Sequence, residues 1–210
     1  MSSKSKFTLT YFTVRGRGEL IRLLFHYAGK EFEDVRIEWK DWAALKPDTP
    51  YLSLPILEHG GVTIGQSVSI ARYVAKELGL AGKTTLEQAL TDGINDSITD
   101  TFNELTKHHF EQDETKKEEL KSKYMTETLP KWCELIEKQL ETKVNGDGTW
   151  LVGDQISWAD IGVFNFLNCM ELMKLDNGFS RYPNLNALKE RVQALEGISK
   201  YISERPESTI

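Results

Sequence analysis

The 210-residue sequence contains only two cysteines, Cys133 and Cys169, which lie far apart and form no CxxC motif. This excludes a disulfide framework and a zinc site built from cysteines. Histidine is also sparse, with four in the chain. His108 and His109 are adjacent, so on a helix they would point in different directions. Because no second group of ligands accompanies them, we expect no metal site.

The sequence also lacks long hydrophobic runs and an excess of positive charge. No apolar segment approaches the roughly 20 residues that span a membrane, and the first residues lack the apolar stretch of a signal peptide. The 26 basic and 32 acidic residues give a formal net charge of -6. A field of that sign repels nucleic acids and anionic membranes, so neither is an expected partner. These absences predict a soluble, cytoplasmic protein in a reducing compartment.

The hydrophobic pattern divides the chain into two regions. The first 80 residues predict, in order, a strand at 7–11, a helix at 19–28, a strand at 35–37, a hairpin around Gly60-Gly61 and a helix at 67–78. From about residue 86 the spacing is helical nearly throughout, with a charged stretch at 111–123 that we expect to be a solvated face or loop. The sequence therefore predicts an α/β region, a linker at 79–83 and an all-α region.

Tyr11 is the first candidate for chemistry, because it ends the predicted first strand just before a loop rich in glycine and arginine. A tyrosine on a strand is commonly a core residue. Against that interpretation, Arg15 and Arg17 lie within one loop of the hydroxyl and would favour an anion beside it. Gly16 and Gly18 do not complete a GxGxxG motif, so the loop gives little support to a dinucleotide site. Both interpretations of Tyr11 stay open on its position alone.

Two further segments are candidates for binding a ligand through the backbone. Pro55 stands at the start of a strand, where it makes a tight turn or, with a cis bond, turns the Leu54 backbone outward to pair with an extended peptide. Ser67 is a candidate N-cap of the next helix, and capping alone would explain it. An exposed helix start also offers N–H groups and a positive dipole end to a carboxylate. Ser157 and Asp160 form a capping-box pattern that we expect to begin a buried helix.

In combination, these segments resemble the cytosolic glutathione transferases, most of all the sigma class, which includes glutathione-dependent prostaglandin D synthases. The resemblance covers nearly the whole chain in the same order and rests on Tyr11-Phe12, Arg15-Gly16-Arg17-Gly18-Glu19, Asp41-Trp42-Ala43-Ala44-Leu45-Lys46, Leu54-Pro55-Ile56-Leu57, Gln66-Ser67-Val68-Ser69-Ile70-Ala71-Arg72 and Ser157-Trp158-Ala159-Asp160. It implies an α/β, thioredoxin-like, glutathione-binding N-terminal domain at 1–82. It also implies an all-helical C-terminal domain at 83–210 that carries the electrophile pocket, and a homodimer.

The resemblance assigns roles to individual residues. Tyr11 would stabilise the glutathione thiolate through its hydroxyl, and Arg17 would support that electrostatic environment. The remaining residues implied to bind glutathione are Trp42 and Lys46 at its glycyl end, Leu54 at its cysteinyl backbone with Ser53 and Pro55 beside it, Gln66 and Ser67 at its γ-glutamyl group, and Asp100 from across the dimer. The residues implied to line the electrophile pocket are Val14, Arg15, Phe110 and Phe166. Glutathione is then a co-substrate, and no permanently bound cofactor is implied.

The activity implied by the resemblance is conjugation of glutathione to hydrophobic electrophiles. A tyrosine at position 11, in a chain without a CxxC motif, favours conjugation over cysteine-based thiol exchange. Vertebrate prostaglandin D synthases carry two adjacent acids where this chain has Thr99-Asp100, and a tryptophan near the position of Lys107. The alternatives are a prostaglandin isomerase and a non-catalytic ligand carrier or structural protein, like the lens crystallins that resemble this class. Tyr51 is expected to be an aromatic key at the dimer interface.

Overall fold

The structure, a computed structural model, describes residues 6–143, 145, 147–176 and 178–208. The described residues divide into two compact units, of which the first is drawn from Met1–Ala81 and Gln193–Ile210 and the second from Gly82–Val192. The first is an α/β unit and the second is helical, so the predicted fold class is confirmed. The C-terminal segment packs with the first unit, and the predicted domain boundary at residue 82 stays a prediction.

The strands and the main helices of the described chain follow one another as the hydrophobic pattern indicates. In order they are β1 (Thr8–Phe12), α1 (Glu19–Tyr27), β2 (Glu33–Ile37), α2 (Trp42–Leu45), β3 (Ile56–His59), β4 (Val62–Gly65), α3 (Ser67–Glu77), α4 (Thr85–Phe110), α5 (Glu114–Lys123), α6 (Leu129–Thr142), α7 (Trp158–Leu172), α8 (Pro183–Gln193) and α9 (Glu196–Glu204). Short 3-10 turns lie at Gly16–Gly18, Trp39–Asp41, Lys46–Asp48, Pro50–Leu52 and Phe179–Arg181. The sequence pattern did not predict the run of short turns between β2 and β3.

The strands of the first unit form one mixed sheet in the order β2-β1-β3-β4. β1 runs parallel to β2 and antiparallel to β3. β3 and β4 form the predicted hairpin, whose two-residue turn uses Gly60 and Gly61 at φ 61° and 80°. Such positive φ values suit the glycines of a tight hairpin turn. The sheet and the helices beside it bury apolar side chains such as Leu9, Leu24 and Leu57.

The register of the sheet places several chain segments at the same end. Thr10 pairs with Ile56, and Ile56 pairs with Gly65. The end of β1 is therefore level with the start of β3 and the end of β4. Phe12, the last residue of β1, pairs with Ile37, the last residue of β2. The loops that follow β1, β2 and β4, together with the residues that precede β3, therefore lie at one end of the sheet.

The second unit has its core along α4, α6 and α7, where Trp132, Trp158 and Phe164 are buried. The charged stretch at 111–123 was expected to be a solvated face or loop. Its α5 part contains no buried residue, and it is helical. Asp113 caps that helix by accepting hydrogen bonds from two backbone N–H groups. Capping and helix-forming residues thus make a helix where the apolar periodicity is absent.

Asp160 holds the start of α7 in the predicted capping box. Its Oδ2 atom accepts hydrogen bonds from the Ser157 N–H at 2.7 Å and the Ser157 hydroxyl at 2.8 Å. Its Oδ1 atom accepts from the Leu151 N–H at 2.9 Å, a contact that the sequence pattern did not predict. Burial raises the pKa of the Asp160 carboxyl to about 6, although these hydrogen bonds act in the opposite direction. The capping box is therefore also a buried link to the preceding loop.

We predict that Asp160→Ala lowers the free energy of unfolding by about 2–4 kcal/mol at pH 7, since it removes a cap and leaves buried donors without an acceptor. Because the folded-state pKa of Asp160 lies above its unfolded value, this group stabilises the fold most at low pH, and that contribution is lost as the pH rises through about 6. The cost of the substitution should therefore be larger at pH 5 than at pH 7. Urea unfolding of both proteins at the two pH values measures it, and equal costs would contradict the assignment.

Candidate active site

Tyr11 lies near the end of β1 with only 7% of its surface exposed. The chain turns back over its ring, and the Tyr11 hydroxyl oxygen accepts a hydrogen bond from the Arg17 backbone N–H at 3.1 Å. Because the Tyr11 oxygen accepts this bond through a lone pair, the O–H proton of Tyr11 takes no part in it. The loop therefore fixes the hydroxyl and leaves its proton for another acceptor.

Gly16 and Gly18 let the loop approach Tyr11 closely. A Cβ atom at Gly18 would lie 2.6 Å from Cδ1 of the Tyr11 ring. At Gly16, which has φ 39°, a Cβ atom would lie 2.7 Å from the Tyr11 hydroxyl oxygen. Both separations are shorter than any normal carbon contact. The two glycines therefore serve the packing around Tyr11, in agreement with the absence of a dinucleotide motif.

Arg22 of α1 fixes the turn that follows Tyr11. Its fully buried guanidinium donates hydrogen bonds to the Phe12 carbonyl at 3.2 Å and to the Val14 carbonyl at 2.9 Å. The Nε atom donates to both carboxylate oxygens of Asp34 on β2, at 3.0 and 3.1 Å. One side chain thus ties together the end of β1, the next turn and the neighbouring strand.

Glu19 extends this network to the C-terminal helix of the same unit. Its carboxylate is 2% exposed and accepts hydrogen bonds from the Tyr201 hydroxyl at 3.1 Å and from Arg205 at 2.7 Å. It also contacts Arg22 at 3.5 Å. Burial raises the pKa of Tyr201, so that this hydroxyl remains a donor. No local sequence pattern predicts this network, although the charged Arg22 inside the apolar run of α1 was a usable signal.

Burial is also the largest influence on Tyr11 and raises the pKa of its hydroxyl. The hydrogen bond from the Arg17 N–H, and the positive charges of Arg17 and Arg22, act in the opposite direction. The Arg22 guanidinium carbon lies 5.8 Å from the centre of the Tyr11 ring. Tyr11 is therefore a neutral phenol at neutral pH, placed in a positive environment. Such a group donates a hydrogen bond to an anion without losing its own proton.

The segments expected to bind glutathione in the first unit lie at the same end of the sheet as Tyr11. Trp42 and Lys46 lie in the short turns after β2, with Lys46 exposed and the Trp42 ring edge-on to Phe12 at 5.9 Å. Ser53 and Leu54 are half-buried and precede β3. The Leu54–Pro55 peptide bond is cis, as expected. The sheet register thus brings these segments together, while their roles toward glutathione stay predictions.

The start of α3 differs from the sequence prediction. Ser67 is the first helical residue and not the N-cap, because Gln66 occupies the cap position. Gln66 has φ 71° and an exposed side chain that makes no capping hydrogen bond. The first turn of α3 is thus not capped by that side chain, and it starts at the sheet end that carries Tyr11.

The remaining expected residues are divided between the two units. Val14 and Arg15 are half-buried in the turn after β1. In the second unit, Asp100 is exposed on α4, and Phe110 at the end of that helix is 73% exposed. Phe166 is 2% exposed and packs edge-on against Trp132 at 4.6 Å, which accounts for its position without a ligand. The assignment of these side chains to an electrophile pocket, and of Asp100 to glutathione, stays a prediction.

Two features are absent from the described residues. No group of three or more His, Cys, Asp or Glu side chains in the described ranges is placed to hold a metal ion. Within the same ranges, no helix has the length and the apolar character needed to cross a membrane.

Comparison with known proteins decides the family. Residues 7–76 match the glutathione S-transferase N-terminal domain, and residues 99–205 match the C-terminal domain of the same family. The chain belongs to the glutathione S-transferase family. It is 42% identical over 204 residues to the chicken (Gallus gallus) hematopoietic prostaglandin D synthase, which covers 97% of this chain and 98% of that protein. The expected likeness to the sigma class of cytosolic glutathione transferases is thereby confirmed.

Two further relatives extend the match. Glutathione S-transferase 1 of Ascaris suum is 37% identical over 208 residues, with 97% of this chain and 98% of that protein covered. The solved structure of rat hPGDS complexed with a quinoline superposes with a TM-score of 0.87 at 35% identity. It covers 98% of this chain and 100% of that one. Sequence and structure thus agree over the full length of both family domains.

We predict that Gly18→Ala lowers the free energy of unfolding by about 1–3 kcal/mol, because the added methyl group must displace the Tyr11 ring or its own backbone. Gly93→Ala is the matched control, since a Cβ atom there meets nothing within 4 Å and the residue lies inside α4. That control should be neutral or more stable by up to about 1 kcal/mol. Urea unfolding measures both variants. If Gly18→Ala has the same free energy of unfolding as the wild type, Tyr11 is not tightly packed against the loop.

Proposed function

We propose that the protein is a glutathione transferase that joins the thiolate of glutathione to hydrophobic electrophiles. One observation carries the proposal: Tyr11 is a buried, neutral phenol whose oxygen accepts from the Arg17 N–H, so that its O–H proton is available to a bound anion. In the reaction, the thiolate sulfur forms a bond to the electrophilic carbon, and a leaving group departs or a proton is taken up from water. The protein contributes by raising the fraction of thiolate and by orienting it.

The groups at the Tyr11 end of the sheet match the chemistry of glutathione, a peptide with two carboxylates, one ammonium and one thiol. Lys46 supplies a cation for the glycyl carboxylate, and Trp42 lies four residues before it on the same segment. The backbone of Leu54, outside the paired residues of β3, suits the extended cysteinyl part. The first turn of α3 suits the γ-glutamyl carboxylate, with Gln66 and Ser67 at hand.

Asp100 is proposed to reach the γ-glutamyl ammonium from the partner subunit of a homodimer, and its exposed position on α4 is compatible with that role. Val14, Arg15, Phe110 and Phe166 are proposed to line the electrophile pocket. We place the enzyme in the cytoplasm, since neither Cys133 nor Cys169 is part of a disulfide and glutathione is the thiol buffer of reducing compartments.

A direct assay tests the proposed activity. The purified protein is mixed with glutathione and an activated chloronitrobenzene, and it is passed separately over immobilised glutathione. Conjugation together with retention supports the transferase. Retention without turnover would favour a non-catalytic ligand carrier, and failure of both would refute the glutathione site.

The second candidate function is glutathione-dependent isomerisation of a prostaglandin endoperoxide. It is favoured by the 42% identity to a protein named hematopoietic prostaglandin D synthase. The same Tyr11 and the same thiolate would serve both reactions. Incubation with the endoperoxide and glutathione, followed by identification of the product, separates the two, since a transferase without isomerase activity yields no more prostaglandin D than a reaction without protein.

The sharpest test concerns Tyr11. A free thiol with a pKa of about 8.5 is only about 3% thiolate at pH 7. A hydrogen bond to the anion, aided by Arg17, lowers the pKa of the glutathione thiol by roughly two units, or about 2.7 kcal/mol. Tyr11→Phe keeps the ring but deletes the donor, so turnover should fall about ten- to a hundredfold while glutathione affinity changes little. The lost rate should return at alkaline pH, where the bound thiol ionises unaided.

The control for this substitution is Tyr124→Phe, which removes a buried hydroxyl that contacts Met170 in the second unit. It should leave turnover and its pH profile unchanged. If Tyr11→Phe also retained the wild-type rate and pH profile, Tyr11 would be only a packed strand residue, and another group would stabilise the thiolate.

The proposed homodimer gives a further prediction at Tyr51. Tyr51 and Leu52 are 72% and 57% exposed, and both have positive φ, at 59° and 51°. In a homodimer, the second copy of the chain would cover Tyr51 and Leu52, and the exposed Tyr51 ring would then contribute to binding between the subunits. Tyr51→Ala should then weaken the dimer at least about tenfold, as measured by analytical ultracentrifugation. Trp39→Ala, which also removes an exposed aromatic ring, is the control and should leave the dimer intact. If the dissociation constant of the dimer is unchanged in Tyr51→Ala, the assignment of Tyr51 as an aromatic key at the dimer interface is wrong.

A further inference from the structure

The segment that carries Trp42 and Lys46 has almost no core of its own. It consists of the short turns Trp39–Asp41, Trp42–Leu45 and Lys46–Asp48, and none of them contains a buried residue. Helical pieces of three or four residues are far below the length that is stable in water. The positions of Trp42 and Lys46 therefore depend on contacts at the two ends of the segment, in addition to the edge contact of Trp42 itself with Phe12.

At its C-terminal end the segment is held by Thr49, which is only 5% exposed. The Thr49 backbone N–H and hydroxyl both donate to the Lys46 carbonyl, at 3.2 and 2.9 Å. At its N-terminal end the contact is aromatic. The Trp39 ring stacks on Phe12 with 3.7 Å between the ring centres and 20° between the planes.

Phe12 is a rigid partner for this stack. It is the last residue of β1, directly after Tyr11, and only 7% of its surface is exposed. Its backbone carbonyl accepts from the buried guanidinium of Arg22. Trp39, by contrast, is 61% exposed, so that it covers Phe12 with one face and presents much of its surface to solvent. A ring so exposed adds little to the core, and its stack on Phe12 joins the segment to β1.

Backbone hydrogen bonds connect Trp39 to the two residues proposed to bind glutathione. The Trp42 N–H donates to the Trp39 carbonyl. The Lys46 N–H donates in turn to the Trp42 carbonyl. A shift of Trp39 is therefore passed on to Trp42 and then to Lys46.

We propose that Trp39 is a positioning residue for glutathione: its stack on Phe12 holds Trp42 and Lys46 at the place where they meet the glycyl end of the peptide. The identity of the ligand rests on the proposed function, whereas the role of the stack in holding the segment does not depend on it. Trp42 keeps its own edge contact with Phe12 at 5.9 Å, so loss of the stack weakens the site without abolishing it.

The first experiment measures glutathione binding and turnover in two variants of Trp39. Trp39→Ala should raise the glutathione dissociation constant and KM about three- to tenfold, in line with the loss of one aromatic stack. Turnover at saturating glutathione should stay within about twofold, because Tyr11 is untouched. Trp39→Phe restores a ring to stack on Phe12 and should return affinity to within about twofold of wild type. Val62→Ala, at a side chain that is 62% exposed in the same unit, is the control and should change neither value.

The second experiment needs no ligand. Hydrogen exchange of the Trp42 and Lys46 backbone amides should be about three- to tenfold faster in Trp39→Ala than in the wild type, and close to wild type in Trp39→Phe. The Leu57 amide of the buried β3 strand reports whether the whole unit has loosened, and it should not change.

The two readouts separate failure of this inference from failure of the proposed function. If the wild type does not bind glutathione while the two amides respond as described, the proposed function fails and the role of the stack stands. If affinity and exchange are both unchanged in Trp39→Ala, the inference is wrong. It is also wrong if turnover falls at constant affinity, since Trp39 would then act on Tyr11 through Phe12 and not on the glycyl site.

Discussion

The buried guanidinium of Arg22 is the interaction on which the organisation of the first unit depends. It donates to the backbone carbonyls of Phe12 and Val14 and to the carboxylate of Asp34. Those contacts define where β1 ends and in which direction the following loop leaves the sheet. The positions of the Tyr11 hydroxyl and of Phe12 both depend on that geometry. The Arg22 cation therefore helps to position the residues of the candidate site in the first unit.

A buried charge is tolerated only when its partners are complete. Arg22 meets two carboxylates, and Glu19 in turn receives hydrogen bonds from Tyr201 and Arg205 of the C-terminal segment. Tyr201 and Arg205 thus complete the electrostatic environment of α1, which lies almost two hundred residues earlier in sequence. This explains in physical terms why the C-terminal segment belongs to the first unit. Removal of Asp34 or Glu19 would take one of two carboxylate partners from the buried Arg22 guanidinium.

The sequence predicted those elements whose signals are local. The alternation around Tyr11, the Gly60-Gly61 turn and the Ser157–Asp160 cap each depend on a few neighbouring residues, and the structure contains all three. The short turns after β2 lack an apolar periodicity and were missed, because their order comes from the stack of Trp39 on Phe12, a contact between distant residues.

The candidate site shows the same division between local and distant causes. The loop after Tyr11 and the helix start near Ser67 were identified as ligand-binding candidates, although Gln66 and not Ser67 proved to be the cap residue. No spacing rule pairs Glu19 with Tyr201, since that contact exists only once α9 has packed on α1. Family resemblance named the residues expected to touch glutathione, but it did not name the charges that hold those residues in place.

The electrostatics of Tyr11 reconcile two opposing requirements of thiolate chemistry. A positive environment stabilises a thiolate, yet the same environment favours ionisation of a nearby phenol, and a phenolate could no longer donate a hydrogen bond. Arg17 and Arg22 supply the positive field, and burial raises the pKa of Tyr11 by more than that field lowers it. Tyr11 therefore stays protonated and can donate a hydrogen bond to a bound thiolate. Exposure of the Tyr11 ring to water would reduce the effect of burial, which raises the pKa of its hydroxyl. The close packing of Gly16 and Gly18 on the ring therefore serves the protonation state of Tyr11 as well as its position.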